Sequence, residues 1–186
     1  GFEVATSCSV MAAAAEAQLG LPEVKVGLFP AGRGTTLMRA RHQESVKVLA
    51  ESAKTLLQGT VASNAEHARK LGYLRPTDVT VFHPDRLVTE AKRLALQATP
   101  TPVLEWKMPE GPFGGMLDRI EDELRAKGEL SDHDDLIGSK IKLIFRANSY
   151  DEALRLEREE FFELCTKALT QARIKHMLET GKPLRN

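Results

Sequence analysis

Gly20-Leu21-Pro22-Glu23-Val24-Lys25-Val26-Gly27-Leu28-Phe29-Pro30 is the stretch that decides how this chain is read, together with Gly1-Phe2-Glu3-Val4-Ala5 twenty residues earlier. Each places one carboxylate among glycine and small apolar residues. Isolated carboxylates in such settings lose solvation, which raises their pKa toward neutrality. Groups tuned that way suit proton transfer near pH 7, and two of them can act on one water from opposite sides. A competing reading puts Glu3 in an exposed first helical turn, where it suits the helix dipole, and composition alone favours it. Val24, Val26 and Leu28 alternate with Glu23, Lys25 and Gly27, a period near two that predicts a short strand or extended segment.

Working outward, residues 1–62 are rich in small apolar residues and glycine, and Gly1 opens onto a helical stretch. Pro30 to Gly34 is a loop, since proline and closely spaced glycines break both regular structures. A helix from about Thr35 to Gln58 follows. Ser63-Asn64-Ala65-Glu66 predicts a capping box with Ser63 at the cap, opening a helix that stops at Gly72. Tyr73 to Phe82 reads as extended. A helix near Asp85 to Gln97 places Leu87, Val88, Ala91, Leu94 and Ala95 on one buried face. Pro100, Pro102, Pro109 and Pro112 punctuate a connector anchored by Trp106. Beyond it, Leu117, Ile120 and Leu124 share a face of a helix ended by Gly128. Ser131 caps a second helix with Leu136, Ile137, Ile141 and Ile144 inward. Ser149 and Glu152 form a capping box before a third, Tyr150 to Leu164. A last helix spans roughly Thr170 to Thr180. The expected division is a core part at 1–99, a Pro-rich connector at 100–112 and a helical region at 113–186.

The 186 residues suffice for one ordinary domain with an appendage. Lys plus Arg and Asp plus Glu are 26 each, so no excess charge recruits nucleic acid or an anionic membrane. With 42% hydrophobic and 28% charged residues the chain is globular rather than disordered. The longest apolar run, Val10 to Ala15, is far too short to cross a bilayer. Two cysteines, Cys8 and Cys165, fit a reducing compartment, and the expected location is cytoplasmic. The opening at Gly1, without an initiator Met or a polar lead-in, reads as the C-terminal part of a longer chain.

The segment from Gly1 through Leu37 resembles the crotonase (enoyl-CoA hydratase/isomerase) superfamily. Members carry a G-G-G-x-E-L-A-like element and, twenty residues after its Glu, a P-E in a G-x-P-E-[VI]-x-x-G-x-x-P-G-x-G-G-T-like run. Gly1-Phe2-Glu3-Val4-Ala5 matches the first and Gly20 to Pro30 the second, in register. Ser63 to Arg75 is similar to the segment that follows the catalytic part in crotonase domains fused behind a 3-hydroxyacyl-CoA dehydrogenase. Leu156-Glu157-Arg158-Glu159, Thr170 to Leu178 and Gly181 to Asn186 look like that family's C-terminus.

The resemblance implies an α/β fold: the C-terminal part of a ββα spiral, then an α-helical region whose helices pack on the core or a neighbouring subunit, allowing a homo-oligomer. It implies that Glu23, after Pro22, exchanges a proton at Cα of an acyl-CoA thioester, while Glu3, after Gly1, activates the water added at Cβ. Carrying both favours hydration over double-bond migration. Isomerase or thioester hydrolase chemistry on the same fold stays open, as does a non-catalytic docking module with the tail from Phe113 to Thr180 as its working surface. The family's oxyanion hole lies upstream of Gly1. NAD would belong to an upstream dehydrogenase part, and this chain itself carries no cofactor. Pro30-Ala31-Gly32-Arg33-Gly34 departs from the family's P-G-x-G-G, since Ala31 and Arg33 replace glycines and a left-handed backbone there is strained. Two readings of Arg33 stand, a contact to a CoA phosphate and a solvated loop residue, and the second is favoured.

Other signals carry less. Gly32-Arg33-Gly34 has no third glycine for a dinucleotide fingerprint. Ser131-Asp132-His133-Asp134-Asp135 lacks ligand-loop spacing and reads as a charged helix start. The histidines show no i,i+4 pair, so no metal site is expected. Cys8 has no basic neighbour and reads as a buried structural thiol. Leu156-Glu157-Arg158-Glu159-Glu160 reads as a solvated face.

Overall fold

The small-residue run after Val10 forms a strand. In a computed structural model describing residues 1–99 and 105–186, Ala12–Ala14 (β1) pairs in parallel with Val79–Val81 (β2). The register is Ala12↔Val79, Ala13↔Thr80 and Ala14↔Val81. Val79, Thr80 and Val81 are β-branched, which suits a pleated, half-buried surface. Pro100 and Pro102 of the expected connector lie outside the described residues.

The described helices, in chain order, are α1 (Phe2–Thr6), α2 (Gly34–Arg41), α3 (Val46–Leu57), α4 (Ala65–Lys70), α5 (Leu87–Gln97), α6 (Phe113–Ala126), α7 (Asp132–Phe145), α8 (Tyr150–Cys165) and α9 (Ala168–Thr180). Short 3₁₀ turns span Glu23–Val26 and Pro84–Arg86. Two compact units arise, each discontinuous in sequence. One joins Gly1–Gly20 to Val61–Leu104, described through residue 99, and the other joins Leu21–Thr60 to Glu105–Asn186.

In the first unit the two-stranded ladder is extended by Val79 N–H to Met11 O and Ala15 N–H to Val81 O, both 2.9 Å. Asp78 fixes where β2 begins. Its buried carboxylate accepts from Met11 N–H at 2.9 Å, Arg75 N–H at 2.6 Å and the Arg75 guanidinium at 2.9 Å. Phe2 meets Tyr73 edge-on with ring centroids 5.1 Å apart. Several expectations change here. Asn64, not Ser63, caps α4: its side chain accepts from His67 N–H at 2.8 Å, while Ser63 N–H turns to His67 Nδ1. Gly72, at φ 79°, ends that helix as expected. Between Tyr73 and Phe82 only Val79–Val81 is a strand, because the preceding residues turn to bury Tyr73 and Leu74. On α5 the expected face is not buried. Leu87 and Leu94 are half-covered, and Val88, Ala91 and Ala95 are exposed. The Cys8 thiol is exposed rather than buried.

In the second unit the expected alternation at 23–28 gives way to a 3₁₀ turn. Pro22 opens it and Gly27, at φ 81°, closes it, with Lys25 N–H to Pro22 O and Gly27 N–H to Val24 O both at 3.0 Å. The long helix expected over 35–58 is two helices, because Ser45 caps α3 by accepting Val48 N–H at 3.2 Å. The core is built from Leu49, Ala53 and Leu56 of α3, Leu117 and Leu124 of α6, and Ile137, Ile141 and Ile144 of α7. Phe113 stacks on Phe145, 6.1 Å between centroids. Ser131 forms a full capping box with Asp134. Ser149 accepts Glu152 N–H at 3.1 Å, but the Glu152 carboxylate turns to Asn148 N–H, so that box is half formed. Trp106 anchors its segment as expected, donating Nε1–H to Ala147 O at 2.8 Å beneath Arg39, whose guanidinium carbon lies 3.8 Å from the ring centroid. Arg39 is fully buried and donates to Phe145 O, Gln43 Oε1 and Lys107 O; burial lowers its pKa to about 10.

No helix among the described residues is long and apolar enough to cross a membrane.

Candidate functional site

Glu3 sits one residue into α1, a single turn that leaves its side chain half-covered. Its carbonyl is held by the Thr6 and Ser7 hydroxyls at 3.1 and 2.8 Å, so the backbone around it is fixed locally. Gly1 precedes it at the helix cap and is exposed; a Cβ there would meet open space, so packing does not require glycine at this position.

Glu23 belongs to the other compact unit. It opens the 3₁₀ turn after Pro22, itself exposed, and its carbonyl accepts Leu28 N–H at 3.2 Å. The turn is gripped on two sides. A Cβ on Gly27 would lie 2.9 Å from Thr170 Cα, and one on Gly59 would lie 2.6 Å from Val24 Cγ1 and 3.3 Å from Pro22 Cα. Both glycines have positive φ, 81° and 55°. Only glycine permits that backbone with that approach. The two candidate glutamates are therefore each anchored within a separate unit.

Polar groups that the sequence hides gather under this turn. Arg173 of α9, 2% exposed, donates Nη1–H to Val24 O at 3.0 Å and to Asp134 Oδ1 at 2.6 Å, and Nη2–H to Ser131 Oγ at 2.8 Å. Thr170 donates its hydroxyl to Gly27 O at 2.8 Å and stands 2.9 Å from His133 Nε2. With the Thr170 proton committed, His133 Nε2 must carry its own proton and donate. Burial, then the Arg173 charge, lower the His133 pKa, and Asp134 opposes them. The charged helix start expected at Ser131 is thus real, but His133 and Asp134 point inward.

A second buried carboxylate corrects the solvated-face expectation for residues 156–160. Glu157 of α8 is 1% exposed and accepts Arg33 N–H, Thr36 N–H and the Thr36 hydroxyl at 2.7, 2.7 and 2.6 Å. It sits on the N-terminus of α2, where backbone donors and dipole both favour an anion. Arg33 does hold the left-handed backbone expected to be strained, at φ 74°. Its exposed guanidinium reaches Tyr150 Oη at 2.7 Å.

A cleft of about 400 Å³ opens beside Val24 in the same unit. Lys25, Arg173 and Arg185 line it together with Glu129 and Asp134, and Arg173 is paired with Asp134, so mixed charge leaves no strong pull on an anion. No cluster of three His, Cys, Asp or Glu side chains suited to a metal occurs among the described residues.

No protein-family model matches the chain. Among curated proteins it is similar to a probable 3-hydroxyacyl-CoA dehydrogenase of Bacillus subtilis (strain 168), with 32% identity over 204 residues. That alignment covers 100% of this chain and 26% of the relative. It is also similar to a human peroxisomal bifunctional enzyme, 34% identical over 68% of this chain and 16% of that protein. A short-chain-enoyl-CoA hydratase of Clostridioides difficile is 33% identical over 51% of this chain and 55% of its own length. The chain belongs to the crotonase superfamily. It spans about a quarter of the Bacillus relative and about half of the clostridial one. For a crotonase-superfamily chain, helix dominance with a small parallel sheet is a compatible architecture. Its buried polar residues Glu157, His133, Thr170 and Arg173 were not singled out as site residues from the sequence. Glu157, Thr170 and Arg173 lie in the stretches that carry the C-terminal resemblance, which is the one available signal.

Proposed function

We propose that this chain is the C-terminal part of the enoyl-CoA hydratase portion of a fatty-acid β-oxidation protein. Its residues 1–99 would complete a crotonase ββα spiral, with 113–186 as a supporting helical region. The substrate is a trans-2-enoyl-CoA thioester, and water adds syn across its double bond. As the water oxygen bonds to Cβ, the Glu3 carboxylate takes the water's proton. The electron pair of the double bond moves toward the thioester carbonyl, and protonated Glu23 delivers a proton to Cα. Exchange with solvent returns both glutamates to their starting states. Backbone donors upstream of Gly1 would hold the developing enolate oxygen, a contribution worth ~10²–10³ in rate per donor.

What carries this reading is the register of two motifs, each with its glutamate, in a chain related both to named enoyl-CoA hydratases and to a 3-hydroxyacyl-CoA dehydrogenase. The dehydrogenase relative motivates an upstream dehydrogenase part, which would use NAD. We further propose a cytoplasmic protein that can assemble through its C-terminal helices. The test is hydration of crotonyl-CoA by the full-length protein. Glu23→Gln should lower kcat by ~10²–10⁴-fold, the usual contribution of a positioned acid/base. A folded wild type without turnover would favour a docking module or another crotonase reaction.

A further inference from the structure

A densely bonded polar cluster of the second unit lies directly under the turn carrying Glu23. Arg173 spends all five of its N–H donors inside the protein. Besides Val24 O, Asp134 and Ser131, its Nε–H goes to Asn186 Oδ1 at 2.8 Å and an Nη2–H to Asn186 O at 3.2 Å. None is left for a ligand. The carbonyls that Arg173 and Thr170 grasp are those of Val24 and Gly27, which bracket the turn one and four residues after Glu23. Asp134 and Ser131 orient Arg173, and His133 orients Thr170. Gly27 approaches α9 so closely that a methyl group would not fit, and Gly59 closes the opposite flank. A 3₁₀ turn has poor hydrogen-bond geometry of its own. Its conformation is therefore set from outside, by α7, α9 and the end of α3.

We infer that Arg173 and Thr170 are positioning residues for Glu23, fixing the backbone of its turn so that the carboxylate is presented in one place. The inference rests on the assignment of Glu23 as acid/base. Neither residue touches substrate; both act through the carbonyls they hold. Reactive groups must be held to a fraction of an ångström by surrounding hydrogen bonds.

The test uses Thr170→Val, nearly isosteric but without the hydroxyl, in the full-length protein with crotonyl-CoA. The expected result is a kcat about tenfold or more lower with KM within about twofold, since ~1 Å of misplacement costs ~10²-fold. Thr170→Ser should restore kcat. Amide hydrogen exchange supplies a readout independent of turnover: Lys25, Gly27 and Leu28, whose N–H groups close the turn, should exchange faster in Thr170→Val. Arg173→Lys, which keeps the charge opposite Asp134 but not the fork that reaches Val24 O, provides the same test where Thr170→Val does not fold. Wild-type kcat and unchanged exchange in these variants, with Glu23→Gln inactive, would overturn the positioning role and leave the Glu23 assignment standing. Full hydration by Glu23→Gln would remove both.

Discussion

Glu157 shows how one residue can tie distant segments of a unit together. Its carboxylate takes two backbone N–H groups and one hydroxyl at the start of α2, while being almost entirely out of water. A charge so placed is tolerable only because every donor converges on it. Glu157→Gln keeps the shape but points an NH₂ at groups that are themselves donors. Stability to urea should fall by about 2–3 kcal/mol, the scale of hydrogen bonds to a charged group. An unchanged midpoint would mean that the α2 N-terminus does not depend on this carboxylate. Nothing local announces this burial, since Leu156 to Glu160 has the texture of a solvated helix face. What buries Glu157 is the start of α2, where Thr36 lies 121 residues earlier along the chain. By contrast the left-handed strain at Arg33 was legible, because a non-glycine side chain stands where the family has glycine.

At the scale of elements, caps and C-terminal glycines were the readable features. Ser131, Gly72, Gly128 and Gly181 act where expected, since each signal involves only neighbouring residues. The face of α5 and the extended reading of 23–28 failed for the converse reason. Periodicity says which side chains share a side and not whether anything covers that side, and Pro22 with Gly27 closes a turn where alternation alone allowed a strand. The α7–α9 contact makes a pH prediction. His133 is buried as the neutral imidazole, its pKa lowered chiefly by loss of solvation and then by the facing Arg173 charge, with Asp134 pulling the other way. The unfolded chain therefore binds the proton more readily than the folded one below the ordinary histidine pKa of ~6.5. Stability is complete above that pKa and declines as pH falls through it toward the lower folded value. Urea midpoints at about pH 8 and about pH 5.5 should differ in that direction, by less in His133→Gln, which keeps a donor for Thr170 but cannot titrate. The same pH dependence in the variant would place its origin elsewhere.

For the whole molecule, the order of segments along the chain does not match their grouping in space. Ala62 N–H reaches Leu19 O at 2.7 Å and Gly20 bridges Val61, so the intervening forty residues leave one unit and build the other. No local pattern announces such a return, whereas the family motifs are local and were read directly. Each candidate glutamate has its own anchored backbone, Glu3 in a turn tied by Thr6 and Ser7 and Glu23 in a turn held by Arg173 and Thr170. The proposed hydration requires both carboxylates. The most direct measurement is crotonyl-CoA hydration by the full-length protein and its Glu3→Gln, Glu23→Gln and doubly substituted variants. Residues that act as a unit are strongly non-additive. The double variant should then be no slower than the slower single one, with each single variant reduced ~10²-fold or more. Independent, additive losses, or full activity in either single variant, would contradict joint action of the two glutamates.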